Sequence, residues 1–234
     1  MSDDIEDKKK LVIGLYGEMR LAMELHDLGW QVHRAYIDEG IDFVATKYYC
    51  PKCKAYANQW IRISNYKGKN KKCVTNLCDK CKQTKLTVIS RYLQVKTSEG
   101  TPSEENNARD FSFHPKLRYD MGDEIFYIWI AIFDKPKEKL CHFYIFNTKD
   151  VALFDNLMLD TYQITDNQKT TLTINENGVV LNRGRMYDYE CFNKRFYNDF
   201  SALELELKWA GLGRMSKLSF KTYCIENYAE YKNL

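Results

Sequence analysis

The sequence lacks an apolar run of the roughly 18 to 20 residues that a membrane-spanning helix requires. It also lacks the basic and apolar start of a signal peptide, because residues 1–4 are polar and acidic. We therefore expect a cytoplasmic protein without a membrane partner. A large net charge is absent as well. The 35 basic and 32 acidic residues give a formal net charge of +3, which is too small to identify nucleic acid as a partner.

Internal repeats and strongly biased segments are absent too. The apolar fraction of 44% and the charged fraction of 29% are those of an ordinary soluble globular protein. This composition excludes a disordered, collagen-like or coiled-coil chain. A chain of 234 residues is long enough for one sizeable core, or for one core with a small appended module.

The clearest motif is a set of four cysteines among the eight in the chain. They form two CxxC pairs: Cys50 with Cys53, and Cys78 with Cys81. This spacing is typical of a zinc ribbon, and four thiolates leave no open position for a reactive water, so we expect structural Zn²⁺. Two redox or structural disulfides are the alternative. The zinc ribbon would occupy residues 50–81, inserted into a core formed by residues 1–49 and 82–150.

A cluster of lysines lies within and just after this insertion. Four of them are Lys67, Lys69, Lys71 and Lys72. They could bind phosphates and contribute DNA affinity without reading sequence. The alternative is a solvated lysine-rich face with no ligand.

Apolar periodicity predicts a helix over residues 11–28, ended by Gly29. Its apolar positions fall in two sets: Leu15, Met19 and Ala22, and Leu21, Leu25 and Leu28. Strands are predicted over residues 30–35 and 41–49, followed by a β-rich segment over 85–95. The simplest topology joins the last two in a long hairpin with a zinc-bound tip.

Further strands are predicted over residues 124–133 and 141–146, which would pair as a hairpin, and over 170–174. A helix is predicted over 192–209. We expect residues 151–234 to form a C-terminal extension that packs against the core.

Three polar residues on these predicted strands form a candidate site. Side chains alternate between the two faces of a strand, so Gln94 and Lys96 share one face while Leu93 and Val95 share the other. Asp42, at the start of another apolar strand, would lie beside them if the two strands pair. The alternative for Gln94 and Lys96 is a polar sheet face with a solvated lysine.

The order of these elements resembles the PD-(D/E)xK nuclease superfamily. The resemblance rests on Gly17-Glu18 in the first helix, Gly40-Ile41-Asp42 before the second strand and Gln94-Val95-Lys96 in the third. It is similar to the branch of Holliday-junction resolvases and restriction-type endonucleases that carry a Gln-x-Lys variant. The resemblance implies an α/β fold: a restriction-endonuclease-like mixed β-sheet flanked by helices, here with the zinc-ribbon insertion.

The resemblance also implies a role for each residue. Asp42 would be the central ligand of catalytic Mg²⁺ or Mn²⁺, with the Gln94 side-chain oxygen and the Val95 carbonyl as further ligands. Glu18 would hold a metal-bound water or a second ion. Lys96 would orient or deprotonate the attacking water, or stabilise the pentavalent phosphate.

The implied function is a Mg²⁺-dependent endonuclease that hydrolyses DNA phosphodiester bonds in restriction, defence or repair. A homodimer would let two such sites reach two phosphates. One alternative is a nuclease-like protein, degenerate at Gln94, that binds DNA or acts as a scaffold through its zinc ribbon. A second alternative is a protein-docking zinc ribbon for which nucleic acid is irrelevant.

Overall fold

A computed structural model describes residues 2–35, 40–57, 77–105, 107–113, 125–134, 138–147, 170–181, 193 and 196–204. The chain divides into two units, residues 1–95 and residues 96–234. Among the described residues, no helix combines the length and the apolar character needed to cross a membrane.

The first unit begins with helix α1, Ser2–Asp27, which starts earlier than the predicted 11–28. Leu21 and Leu25 are fully buried on its inner face. The helix ends at a glycine as predicted. Gly29 adopts a left-handed φ of 84°, and Trp30 N then donates to the Leu25 carbonyl at 2.9 Å. Glycine makes this turn without the steric cost that a Cβ would add.

Four strands complete the first unit: β1 (Gln31–Arg34), β2 (Phe43–Cys50), β3 (Ala55–Ala57) and β4 (Thr87–Glu99). β2 lies between β1 and β4 and is antiparallel to both, and β3 also pairs with β2. The pairing of β2 with β4 runs from Phe43 opposite Leu93 to Tyr49 opposite Thr87. The predicted long hairpin is therefore present.

Burial alternates along β4 as the period-2 pattern predicts. Leu93 and Val95 are buried, whereas Gln94 is half-buried and Lys96 is exposed. One face of the strand thus contributes to the core, and the other carries the polar residues of the candidate site.

The second unit contains the end of β4 and five more strands. They are β5 (Thr101–Pro102), β6 (Ala108–Phe113), β7 (Ile125–Asp134), β8 (Lys139–Asn147) and β9 (Thr170–Asn175). β7 and β8 form the predicted hairpin, and the order β5-β6-β9 forms a three-stranded antiparallel sheet. Eight consecutive residues of β7, 126–133, are buried, which agrees with its continuous apolar sequence.

Described residues of the C-terminal segment pack on β8. The Phe196 ring lies 4.6 Å from the Phe146 ring, and the Asn198 amide donates to the Phe143 carbonyl at 2.7 Å. The prediction of a helix over 192–209 is wrong at Asn198, because the φ of this residue is +52°. A left-handed residue interrupts the chain there, and only the short 3₁₀ helix Phe200–Leu203 follows within the described residues.

The observed class is α/β, with a mixed sheet and a single α-helix among the described residues. Of the helices expected to flank the sheet, α1 is the one found among the described residues. The predicted lysine cluster (Lys67, Lys69, Lys71 and Lys72) lies outside the described residues.

Candidate functional site

The four predicted zinc ligands come together at the far end of the β2–β4 hairpin. Cys50 is the last residue of β2, and Cys53 follows in the turn before β3. Cys78 and Cys81 lie in a second turn, which is closed by a bridge between Leu77 and Lys85. Each of the two turns, held by the pairing of the short strands beside it, therefore contributes two thiols.

The distances between the sulfur atoms are those of a metal site. Cys50 Sγ lies 3.9 Å from Cys81 Sγ, Cys53 Sγ lies 3.8 Å from Cys78 Sγ, and all four sulfurs lie within 4.8 Å of one another. Tetrahedral zinc with Zn–S bonds of about 2.3 Å places sulfurs about 3.8 Å apart, whereas a disulfide holds them about 2.05 Å apart. The four cysteines can therefore bind a metal ion such as zinc, and they are free thiols rather than disulfides.

The two turns share a backbone feature. The residue after each CxxC pair is left-handed, with φ of 49° at Lys54 and 51° at Lys82. In the second turn the Lys82 amide donates to the Cys78 carbonyl at 2.7 Å, and in the first the Cys53 amide donates to Cys50 Sγ at 3.4 Å.

The thiols are not equivalent in acidity. The backbone amide of Gln83, with further hydrogen bonds from Thr84, lowers the pKa of Cys81 from 9.0 to about 5. The Cys81 backbone amide lowers the pKa of Cys78. Burial, with hydrogen bonds among the sulfurs, raises the pKa of Cys53 to about 12. A bound cation would supply the positive charge that lets all four sulfurs be thiolates together.

At the other end of β2, Asp42 is fixed to both neighbouring strands. Its amide donates to the Leu93 carbonyl at 2.9 Å, and its carbonyl accepts from the Ala35 amide at 3.2 Å. Its carboxylate Oδ2 accepts a hydrogen bond from the Val95 amide at 2.5 Å. These contacts hold the carboxylate against β4.

The pairing of β2 with β4 ends at Phe43 opposite Leu93, and Gln94 is the next residue of β4. Asp42 is joined to the residues on either side of Gln94, through the Leu93 carbonyl and the Val95 amide. The Gln94 Oε1 atom is buried and accepts no hydrogen bond from the residues that the structure describes. Buried polar oxygens are normally paired, so this atom calls for a ligand.

Gly40 lies close to the side-chain amide of Gln94. A Cβ built on Gly40 would lie 3.8 Å from Gln94 Nε2, and the φ of Gly40 is +88°. Carboxylate and amide oxygens are of the kind that a hard cation prefers as ligands.

Lys96 follows Gln94 by two residues on β4 and is exposed. Strand periodicity gives it the same face as Gln94. Val95 has a buried side chain, and its amide is the donor to Asp42. Of the three β4 residues predicted for the site, Val95 contacts the Asp42 carboxylate, through its backbone amide.

Glu18 makes a different contact from the one predicted. Its Oε2 lies 3.2 Å from Arg34 Nη2, at the end of β1. The Glu18 carboxylate, which was predicted to hold a metal-bound water or a second ion, is therefore paired with the positive charge of Arg34. Arg34 was not among the residues predicted from the sequence. It could have been suspected because it is a basic residue that ends a strand close to the turn containing Asp42.

Lys47 is a second residue that sequence reasoning missed. It is 6% exposed, and its Nζ donates to the Leu28 carbonyl at the end of α1 at 2.8 Å. The same atom lies 5.3 Å from the Trp30 ring centroid and 5.7 Å from that of Tyr56. It could have been suspected because it is a lysine at an inward-facing position of β2, among several aromatic residues.

A comparison with curated proteins finds a partial similarity to a restriction enzyme subunit. The chain is 35% identical over 79 residues to the type II restriction enzyme BslI subunit beta of Bacillus sp. (strain NEB-606). The match covers 34% of this chain and 22% of that subunit, so the chain spans about a fifth of the length of the relative that it matches. No protein-family model and no solved structure matches the chain.

Proposed function

We propose that the protein is a Mg²⁺-dependent endonuclease that hydrolyses DNA phosphodiester bonds, in restriction, defence or repair. The observation that carries the proposal is the Asp42 carboxylate held by the Val95 amide, next along β4 to Gln94, whose buried side-chain oxygen accepts no hydrogen bond from the described residues. The partial similarity to a restriction enzyme subunit supports DNA as the substrate.

Asp42, the Gln94 side-chain oxygen and the Val95 carbonyl would hold the ion. Bound there, Mg²⁺ or Mn²⁺ would supply positive charge that offsets the charge developing on the phosphate. The Val95 amide keeps Oδ2 of Asp42 in place, which orients the remaining oxygen of that carboxylate. The backbone thus fixes the acidic group before any ligand arrives.

Lys96 supplies an ammonium on the same face. It would orient the attacking water, accept its proton when neutral, or stabilise the phosphate charge when protonated. Glu18 would bind a metal-held water once it exchanges its partner Arg34, whose side chain is 67% exposed and can turn toward a DNA phosphate.

The cysteine site has a structural role in this proposal. Four thiolates saturate a tetrahedral zinc ion, so the metal would stabilise the hairpin end rather than react. Residues 50–81 would be the inserted zinc ribbon within a core of residues 1–49 and 82–150, with 151–234 as an extension on that core. Lys67, Lys69, Lys71 and Lys72 would bind the DNA backbone.

The test is cleavage of supercoiled, linear, branched and single-stranded DNA by the purified chain with Mg²⁺, Mn²⁺ or chelator. Asp42→Asn keeps an acceptor for the Val95 amide but removes the charge, and Lys96→Ala removes the ammonium. Each should lower the cleavage rate by at least about 100-fold. Asp27→Asn and Lys139→Ala, which change exposed residues on α1 and β8, serve as matched controls. Cleavage retained by Asp42→Asn would refute the assignment.

The second candidate is a catalytically degenerate protein that binds DNA or acts as a scaffold through the zinc ribbon. The observation that favours it is the Glu18–Arg34 ion pair, which together with the neutral Gln94 leaves Asp42 as the one carboxylate of the predicted set without a basic partner among the described residues. The relative is named as one subunit of an enzyme, which fits a chain that works with another. Calorimetry separates the two functions, since the degenerate protein would bind no Mn²⁺ at Asp42.

A further inference from the structure

The hairpin of β2 and β4 has two faces of different character. Its inner face packs toward α1, because the Lys47 ammonium donates to the Leu28 carbonyl directly after that helix. Phe43 and Leu93 lie opposite each other on the inner face and are buried. Side chains alternate along a strand, so the intervening residues point away from α1. We name this second surface the outer face of the hairpin, and it consists of Val44, Thr46, Tyr48, Val88, Ser90 and Tyr92.

The outer face is accessible along its length. Val88 is 57% exposed, and the other five residues are half-buried. Thr46 lies opposite Ser90 in the middle of the face, so two small side chains separate the two tyrosines. The middle of the outer face is therefore shallow, and a tyrosine stands toward each end of it.

The outer face runs between the two sites described above. At one end, Tyr48 packs against the buried cysteines Cys50 and Cys78. At the other end, Gln94 follows Tyr92 by two residues and so points to the same side of β4. A chain lying along the outer face would thus pass from the cysteine cluster to the residues proposed to hold the ion.

The side chains of the outer face determine which partner it fits. None of its six residues is acidic, and none is a lysine or an arginine. Duplex DNA is bound mainly through its phosphates by lysine and arginine, which this face does not provide. Unpaired bases are bound instead by stacking on aromatic rings, and stacking requires no charge. Two tyrosines on the surface of a sheet are therefore suited to a single strand.

The spacing of the two tyrosines gives each of them its own base. Tyr92 lies opposite Val44, which is four residues from Tyr48 along β2. A rise of about 3.3 Å per residue separates the two positions by about 13 Å along the strands, too far for both rings to stack on one base. His33 of β1 is exposed beside them, with its Nε2 atom 3.4 Å from Thr46 Oγ1. Its imidazole can donate a hydrogen bond to a phosphate between the two bases.

We propose that the outer face of the hairpin binds single-stranded DNA, with one base stacked on Tyr92 and another on Tyr48. The inference deepens the proposed function and rests on it for DNA as the partner. It names DNA with unpaired bases as the substrate class, because the strand on the outer face leads to Gln94.

The test is fluorescence anisotropy of labelled single-stranded and duplex oligonucleotides of one sequence, mixed with the purified chain without Mg²⁺. The single strand should bind at least about tenfold more tightly than the duplex, since stacking needs unpaired bases. Tyr92→Ala and Tyr48→Ala should each weaken single-strand binding by about 5- to 150-fold, the contribution of one stacked base. Tyr92→Phe keeps the ring and should bind as the wild type does. The two alanine variants keep the test decisive if one of them fails to fold.

Met23→Ala is the matched control, because Met23 is 55% exposed on α1, on the inner side of the hairpin. It should bind as the wild type does, and far-UV circular dichroism should confirm that all variants are folded. Folded tyrosine variants with wild-type affinity for the single strand would overturn the inference and leave the proposed function standing. Tighter binding of the duplex would also overturn it. A wild-type chain that binds the single strand through these tyrosines but cleaves no DNA with Mg²⁺ or Mn²⁺ would contradict the proposed function alone.

Discussion

Replacing Gln94 by glutamate tests the ion site without using catalysis. Asp42 is hydrogen-bonded to Leu93 and Val95, the residues on either side of position 94, and Cβ atoms of cross-strand neighbours are about 5 Å apart, so the new carboxylate would lie close to that of Asp42. Two negative charges at about 5 Å repel by about 3 kcal/mol at an effective dielectric constant of about 20. Burial of the carboxylate adds a desolvation cost of the same sign.

The metal-free Gln94→Glu variant should therefore be less stable than the wild type. A loss of about 3 kcal/mol in a unit of this size lowers the melting temperature by about 10 °C or more. Mg²⁺ at about 100 times its dissociation constant would restore about 2.7 kcal/mol, because it binds the folded state alone. The variant should thus gain much more stability from Mg²⁺ than the wild type does.

Differential scanning calorimetry with chelator and with Mg²⁺ measures both quantities. Gln31→Glu is the matched control, since Gln31 begins β1 and is exposed. It should show neither the large loss nor the recovery. An equal melting temperature of the Gln94→Glu variant with and without Mg²⁺ would refute the reasoning, because the two carboxylates would then not face a common ion.

Three further predictions follow from other parts of the structure. Lys47→Met should lower the free energy of unfolding by about 2 to 4 kcal/mol, because it removes a charged hydrogen bond and two cation–π contacts. Urea denaturation measures this loss, and a variant as stable as the wild type would contradict the prediction. Zinc content should stay constant down to about pH 6 and fall below about pH 5. The pKa of Cys81 is depressed from 9.0 to about 5, so the thiolate is lost as the pH falls through that value, and zinc retained at about pH 3 would argue against the cysteine site. Gly178→Ala should lower the free energy of unfolding by more than about 1 kcal/mol, because the φ of Gly178 is +79° and the new Cβ would overlap the Tyr197 ring. Gly14→Ala is the control and should not destabilise the protein, because a Cβ at this position of α1 meets open space.

Local patterns predicted the elements of the first unit well. The alternation of polar and apolar residues on β4 follows from strand geometry, and the α1 stop at Gly29 follows from the left-handed φ that glycine allows. The cysteine spacing predicted the clustering of four thiols, because each CxxC pair needs only a local turn to bring two sulfurs together.

Tertiary contacts were the part that the sequence could not supply. Periodicity put Leu15 and Met19 in one set and Leu21 and Leu25 in another, but it did not show that the first set is exposed and the second buried. The Glu18–Arg34 pair depends on how α1 lies against β1, and no local pattern encodes that distance. Asn198 interrupts a predicted helix because tertiary hydrogen bonds to β8 outweigh helix propensity.

Strand β2 has the cysteine cluster at one end and the Asp42 turn directly before its other end. A slip of one residue between β2 and β4 would exchange the two faces of β4 relative to β2 and move its polar residues, Gln94 among them, into the core. A metal bound by Cys50 together with Cys78 and Cys81 would join the chain before β4 to the end of β2 and so fix the register of the ladder. The cysteine cluster would then keep Asp42 aligned with the β4 residues proposed for the ion site, which lie at the other end of β2.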